Sequence, residues 1–216
     1  MYKKFLVSFL AAAMPFWTFA QDGGNLTMYS FSLIEVNPAA AAMGGASLAN
    51  PGNLAWSSFR NPSIIPFSPA KGDAAASWQG QNGNNFSIAG GCNTGKIGYS
   101  AGATCLVDEG YPVYDDAGNQ TGSFKPKDFR LCVSAGILAI DSLALGATVS
   151  YLRSALSSDK SYNSVTAGIF ASYKYNSLIS CAGISNLGAK VKDGSGADFD
   201  LPTELVCGIS YLFDMK

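Results

Sequence analysis

Histidine is absent from all 216 residues. That single absence removes Ser-His-Asp and Cys-His catalytic arrangements, and every His-based metal site. Charge is scarce as well, at 13% Asp, Glu, Lys and Arg, against roughly 25% in an average soluble domain. With a net charge of −1 there is no basic excess to meet a phosphate backbone, so nucleic acid is not expected as a partner. Beyond the first twenty residues no apolar run reaches about 18 residues, so no helical membrane span is expected there. The five cysteines, Cys92, Cys105, Cys132, Cys181 and Cys207, contain no Cys-x-x-Cys pair. Being odd in number, they leave at least one without a partner in the chain. They are expected to act as small buried hydrophobes, with one cross-strand disulfide as the alternative. No cofactor motif stands out, and neither a cofactor nor an enzymatic activity is expected.

What is present begins with an export signal. Lys3 and Lys4 precede an apolar stretch from Phe5 to Ala13, and Thr18 and Ala20 precede a small-residue cut before Gln21. Residues 1–20 therefore read as a signal peptide, with no cysteine at the cut for lipoprotein processing. Residues 21–72 read as a segment with two short helices. Asn37 can cap a helix that starts at Pro38, runs through four alanines and closes at Gly44 and Gly45. A second piece, about 53–59, is stopped by Asn61-Pro62. The uncharged stretch 37–49 is expected to pack as a plug against a sheet wall, with Gly44 and Gly45 at the contact.

From residue 73 to 216 the chain alternates. Phe129, Leu131, Val133, Ala135 and Ile137 share one face, opposite Arg130, Cys132, Ser134 and Gly136. The runs 143–151, 165–175 and 205–213 repeat the form, with Gly, Ser and Thr on the smaller face. Strands are expected at about 74–80, 85–92, 96–105, 128–139, 143–153, 164–175, 177–187 and 203–213. Soluble strands run to about 5–6 residues, whereas tilted membrane strands need about 9–11. Tyrosines near strand ends, and short turns alternating with long loops at 106–127, 154–163 and 188–202, suit an outer-membrane barrel. The expected fold is therefore an all-β, antiparallel transmembrane β-barrel with a short helical N-terminal plug. Eight strands close into a barrel too narrow for fifty further residues. The chain is thus expected to be the N-terminal part of a larger barrel, forming an open half-shell around the plug. A closed eight-stranded barrel and a secreted soluble β-protein are the alternatives. The carboxylates at Asp108-Glu109 and Asp115-Asp116 read as a solvated outer loop, with a cation site as the rival.

The segment "AAAAMGGASLA" followed by "WSSFRNPSII" resembles the N-terminal signature of the PorV/PorQ family of Bacteroidetes outer-membrane proteins. Met43, Gly44, Gly45 and Ala46 match its first element; Asn61 and Pro62 match the start of its second. "GISNLGAKV" and "LPTELVCGISYLF" resemble a later pair of family strands, through Asn186, Leu187, Gly188, Leu201 and Pro202. The resemblance implies a fatty-acid-transporter-like barrel of about fourteen strands, of which this chain would be a truncated member. It further implies an outer-membrane location in contact with lipid, and a role in type IX secretion and surface attachment of proteins. The partners implied are secretion-system subunits, exported cargo, or a chain completing the barrel. A channel for hydrophobic or small solutes is the alternative role.

Overall fold

The computed structural model describes residues 28–80, 83–115, 117–157, 160–192 and 198–212. The signal peptide expected at 1–20, Asp116 and the terminal aromatic Phe213 lie outside the described residues. Three 3-10 turns (Ser30–Leu33, Ala55–Phe59, Pro62–Phe67) and one short helix α1 (Pro38–Ala42) precede the first strand. Asn37 caps α1 as its residue type predicts: its side chain accepts from the Ala39 N–H at 3.1 Å. Gly44 and Gly45 close the helix at φ 67° and 83°, a region that alanine enters only at a cost.

Twelve strands follow: β1 (Gly72–Gly80), β2 (Gly83–Asn93), β3 (Ile97–Asp108), β4 (Tyr111–Tyr114), β5 (Gln120–Phe124), β6 (Lys127–Ile140), β7 (Leu143–Ala155), β8 (Ser161–Tyr175), β9 (Leu178–Leu187), β10 (Val191–Lys192), β11 (Asp198–Phe199) and β12 (Glu204–Tyr211). Eight form one antiparallel sheet in the order β1-β2-β3-β6-β7-β8-β9-β12. The small ladders β4-β5 and β10-β11 lie in the two longest connections and were not anticipated from sequence. Short polar stretches such as "QTGSF" carry no clear alternation.

The closed transmembrane barrel is not formed. The ladder ends at β1 on one side and β12 on the other, and the two edges stand 20 Å apart. Hydrogen-bonded neighbours would be about 4.8 Å apart. The direction of the outer bonds follows from the outermost rungs. Leu212 N–H bonds to the Ser177 carbonyl at 2.8 Å, so Glu204, Val206, Gly208 and Ser210 turn their main chain toward β9. Leu205, Cys207 and Ile209 turn theirs outward. By the same logic from the Asn93–Lys71 bond, Ala74, Ala76 and Trp78 do so on β1. In hydrocarbon each such unmet group costs several kcal/mol, so this open sheet, whose two edges have no partner strand among the described residues, is not the closed barrel that a bilayer location needs. It fits the alternative of an exported β-protein better. Among the described residues no helix is long and apolar enough to cross a membrane.

The sheet is curled, and the N-terminal segment sits in the curl. Leu54 lies over Gly91 of β2, while Leu48 lies over Gly208 of β12. Those strands are six ladder steps apart, or about 29 Å if flat. The six steps from Leu48 to Leu54 span at most about 21 Å, and the chain there is shortened by the turn bond from Asn50 N–H to the Ser47 carbonyl. A flat sheet could not be bridged, so residues 35–67 occupy the concave side.

That occupancy is possible because the concave face is lined with glycine and small hydroxyl residues. A Cβ on Gly136 would overlap the Pro62 carbonyl, and one on Gly146 would overlap the Ser63 backbone nitrogen. Hydroxyls supply the polar partners. Ser134 donates to Ser100 (2.8 Å), Ser100 to Ser57 (2.9 Å), and Ser57 to the Leu54 carbonyl (2.7 Å). Each has one proton, and Ser57 spends its own on Leu54, so the direction of the relay is fixed. Ser77 on β1 donates to the Val36 carbonyl and Ser210 on β12 to the Ala49 carbonyl, both at 2.7 Å.

The contact expected at Gly44 and Gly45 is therefore made elsewhere. Nothing lies within 4 Å of a Cβ on Gly44, and Gly45 meets only the Arg60 side chain at 3.5 Å. Gly136→Ala and Gly146→Ala are expected to destabilise by about 1–3 kcal/mol through overpacking against backbone. Gly122→Ala, with open space around it, is expected to stay within about 0.5 kcal/mol. Urea midpoints of the three variants check this.

Candidate functional site

Two places on the concave side gather polar side chains. The first is centred on Asn61, which is 2% exposed and caps the turn that begins at Pro62. Its Oδ1 accepts from the Ser63 N–H (3.0 Å) and the Ser63 hydroxyl (2.6 Å). Its Nδ2 donates to the Leu48 carbonyl (2.9 Å) and to Ser172 Oγ (3.2 Å). Ser63 has already spent its proton, so Ser172 donates to Ser63 across 2.7 Å. The three side chains close a ring in which Asn61 uses both protons and both lone pairs. Reversing the amide would set Nδ2 against the Ser63 N–H and Oδ1 against the Leu48 carbonyl, so the two backbone bonds fix its orientation. This is a structural knot, tying 48, 61–63 and β8 together, with no group left over for chemistry.

The second place lies where the 3-10 turn Ser30–Leu33 meets β6 and β7. Met28, Tyr29, Phe31, Asp128, Ser154 and Leu156, with Phe199 of β11, line a cavity of about 230 Å³. Tyr29 stands at φ 66°, left-handed for a residue with a bulky side chain, and its ring is 3% exposed. Burial pushes its hydroxyl up to about 12, with Tyr151, Asp128 and Tyr162 adding to the rise. Burial also raises Asp128; a hydrogen bond from Ser154 opposes the rise, and the Asp108 carboxylate adds to it. Arg130, two residues further along the same face of β6, is buried and donates from Nη1 to the Ser32 carbonyl at 2.7 Å. Its guanidinium lies over the Phe59 ring at 5.3 Å. Nothing in the sequence marked this cavity. The nearest signal was Arg130, two residues from Asp128 on the small-residue face of the same strand.

The residues singled out from sequence separate into three groups. Met43 and Ala46 are exposed in the turn that Gly44 and Gly45 make. Asn61 and Pro62 are buried at the sheet centre. Asn186, Gly188, Leu201 and Pro202 do come together: Asn186, at φ 55°, donates to the Pro202 carbonyl at 3.1 Å. Gly188 sits so close to Leu201 that a Cβ would come within 2.6 Å of its methyl. Leu187 points outward. Leu201 joins the buried cluster of Met28, Tyr29, Phe31, Leu152 and Val191. No described contact links this third group to Met43–Ala46.

The loop carboxylates hold their own turns. Asp115 Oδ1 accepts from the Ala117 and Asn119 backbone at 3.0 and 2.8 Å, and those bonds hold its carboxyl below the usual range. Asp108 accepts from Glu109 N–H and the Tyr111 hydroxyl. The cysteines are all free. Cys132 and Cys181 are buried as expected, and burial pushes the Cys181 thiol up to about 11. Cys92, Cys105 and Cys207 are exposed, which corrects the expectation for those three. They belong to the convex face of the curl, which none of the described residues covers.

Asn61→Ala leaves the Leu48 carbonyl and the Ser63 N–H unmet in the interior, and is expected to cost about 3 kcal/mol or more. Ser172→Ala removes less and is expected to cost about 1 kcal/mol. Denaturant unfolding monitored by tryptophan fluorescence distinguishes the two. Under native conditions a maleimide is expected to label Cys92, Cys105 and Cys207 well before Cys132 and Cys181, read by peptide mass mapping.

No protein-family model matches this chain, and no curated protein is similar to it at a significant level. The resemblance to the PorV/PorQ family is thereby withdrawn, since its residues serve helix closure, turn capping and local packing that this fold needs in its own right. The type IX secretion role, its subunits and cargo as partners, the solute-channel role and the outer-membrane location rested on that resemblance and on reading the long strands as part of a lipid-facing barrel, which the open sheet does not form. They fall with it.

Proposed function

We propose that this is an exported, non-catalytic β-sheet protein that works by association, joined to a second copy of itself along β12. The carrying observation is the state of that edge. β12 reads ELVCGISY, with no lysine, no proline and no bulge. Natural edges are usually blunted by one of those devices. Leu205 is 83% exposed and Ile209 67%, and the same residues direct their main-chain groups outward.

Pairing of β12 with its two-fold copy meets these groups with identical ones, in a sheet that extends beyond β12 and leaves β1 free. Antiparallel pairing also sends the strand's one charge, Glu204, to opposite ends of the joint, so like charges do not meet. With Cys207 facing its copy, Leu205 lies opposite the partner's Ile209, and the uncovered apolar face becomes continuous across the axis. Cross-strand pairs already run along that face, Val133 with Val149, Tyr151 with Val165 and Ile184 with Leu205. Export is supported by the signal sequence at 1–20. The non-catalytic reading is supported by the absence of histidine from the whole sequence.

The mature chain is expected to elute as a dimer by light scattering. A short bis-maleimide should link Cys207 to its copy in a Cys92→Ser, Cys105→Ser background. Ile209→Lys should shift the population to monomer with an unchanged circular dichroism spectrum. A wild-type monomer, a dimer indifferent to Ile209→Lys, or recovery of the protein only in detergent would overturn the reading.

A further inference from the structure

Among the described residues eight side chains bury a polar atom without a partner, and four of them lie at one end of the concave side: Tyr29 OH, Ser32 Oγ, Asp128 Oδ1 and Arg130 Nε. Native interiors leave few such groups, and a concentration of them calls for a missing partner. Two of the four, Tyr29 and Asp128, line the same cavity of about 230 Å³.

We propose that this cavity is a binding site for a small organic cation of the alkylammonium or quaternary ammonium class, held between aromatic rings and the Asp128 carboxylate. The chemistry of the walls selects the class. Asp128 takes part in no ion pair among the described residues, and Arg130 is committed to the Ser32 carbonyl and the Phe59 ring. Asp108 adds further negative potential, which disfavours an anion. The aromatic lining is extensive. Tyr29, Phe31 and Phe199 line the cavity; Tyr29 and Phe31 stand edge to face with centroids 6.1 Å apart, and Tyr162, outside the lining, packs against Phe199 at 6.4 Å. Ring faces attract cations that have a soft, weakly hydrated surface.

A hard metal ion would want six or more oxygens, and one carboxylate with one phenol does not supply them. Water fits poorly as the sole occupant. The volume equals roughly seven or eight water molecules, yet Met28, Phe31, Leu156 and Phe199 offer most of them no hydrogen bond. A trimethylammonium head with a short tail matches both the space and the lining.

The site is independent of the β12 edge, so the two readings stand or fall separately. The test uses choline as the probe and 3,3-dimethylbutan-1-ol as its uncharged isostere, titrated into the mature chain by calorimetry. Choline is expected to bind saturably, and the alcohol at least about tenfold more weakly, a gap of about 1.4 kcal/mol. Asp128→Asn and Phe31→Leu should each weaken choline by about tenfold or more, while Ile209→Lys should leave it unchanged. Equal binding of choline and the alcohol would overturn the proposal. So would the absence of saturation below about 10 mM choline, or retained affinity in a folded Asp128→Asn variant. Where either variant fails to fold, the isostere comparison on the unaltered chain decides.

Discussion

Everything in this molecule depends on how closely one short stretch of backbone, residues 54–67, can lie against the concave side of a sheet. Side chains on Gly98, Gly102, Gly136 or Gly146 would hold it off, and the curl would lose its filling. The Asn61 ring then converts contact into register, because four hydrogen bonds from one amide fix segment 48, turn 61–63 and strand β8 to each other. A polar interior built from Ser, Thr and Asn is tolerated only when each proton has a destination. The serine relay from β6 through β3 to Leu54 meets that demand across three elements. Hydrophobic burial contributes in three modest clusters and does not form one dominant core.

Filling the concave side has a consequence for the convex one. The segment that would otherwise be available to cover apolar residues is consumed inside, so Val133, Val149, Val165 and Ile169 remain uncovered on long strands. The ladder also ends on bare strands at both sides. An apolar face with unmet edges is a surface for association with another β-strand, since main-chain groups and side chains are satisfied by the same partner. Among the described residues, the turn Ser30–Leu33, β6, β7 and Phe199 border the cavity beside Tyr29.

Much of this was legible in the residues. Period-two alternation located all eight strands of the main sheet within a few residues and assigned the small face to the inside. Asn37-Pro38 marked a cap, because an amide side chain followed by proline satisfies a helical first turn; Asn61-Pro62 was read only as the stop of the preceding piece, whereas Asn61 caps the next turn. The misreadings have physical causes. Long strands with a small inner face suit a lipid-facing barrel, but also a sheet that wraps its own N-terminal segment. Alternation reports which face a side chain takes and not what lies beyond it. Gly44 and Gly45 were assigned to a wall contact, whereas their φ values show a turn; glycine serves both needs equally, and spacing does not separate them. The β4-β5 hairpin escaped notice because Asp115 and Asn119 hold it by local polar bonds without an apolar pattern.

The sequence by itself determined what each residue does locally: where strands run, where helices are capped, which face is small, and which catalytic classes lack their side chains. These follow from backbone periodicity and side-chain chemistry within a few positions. Tertiary structure alone decided whether the ladder closes, because closure depends on the curl of eight strands around a filling whose volume no local pattern encodes. It also decided that Asn61 meets Ser172 across 111 residues, and that Tyr29 and Asp128 border one cavity. Such meetings are set by the path of the chain through space, which short-range periodicity does not carry.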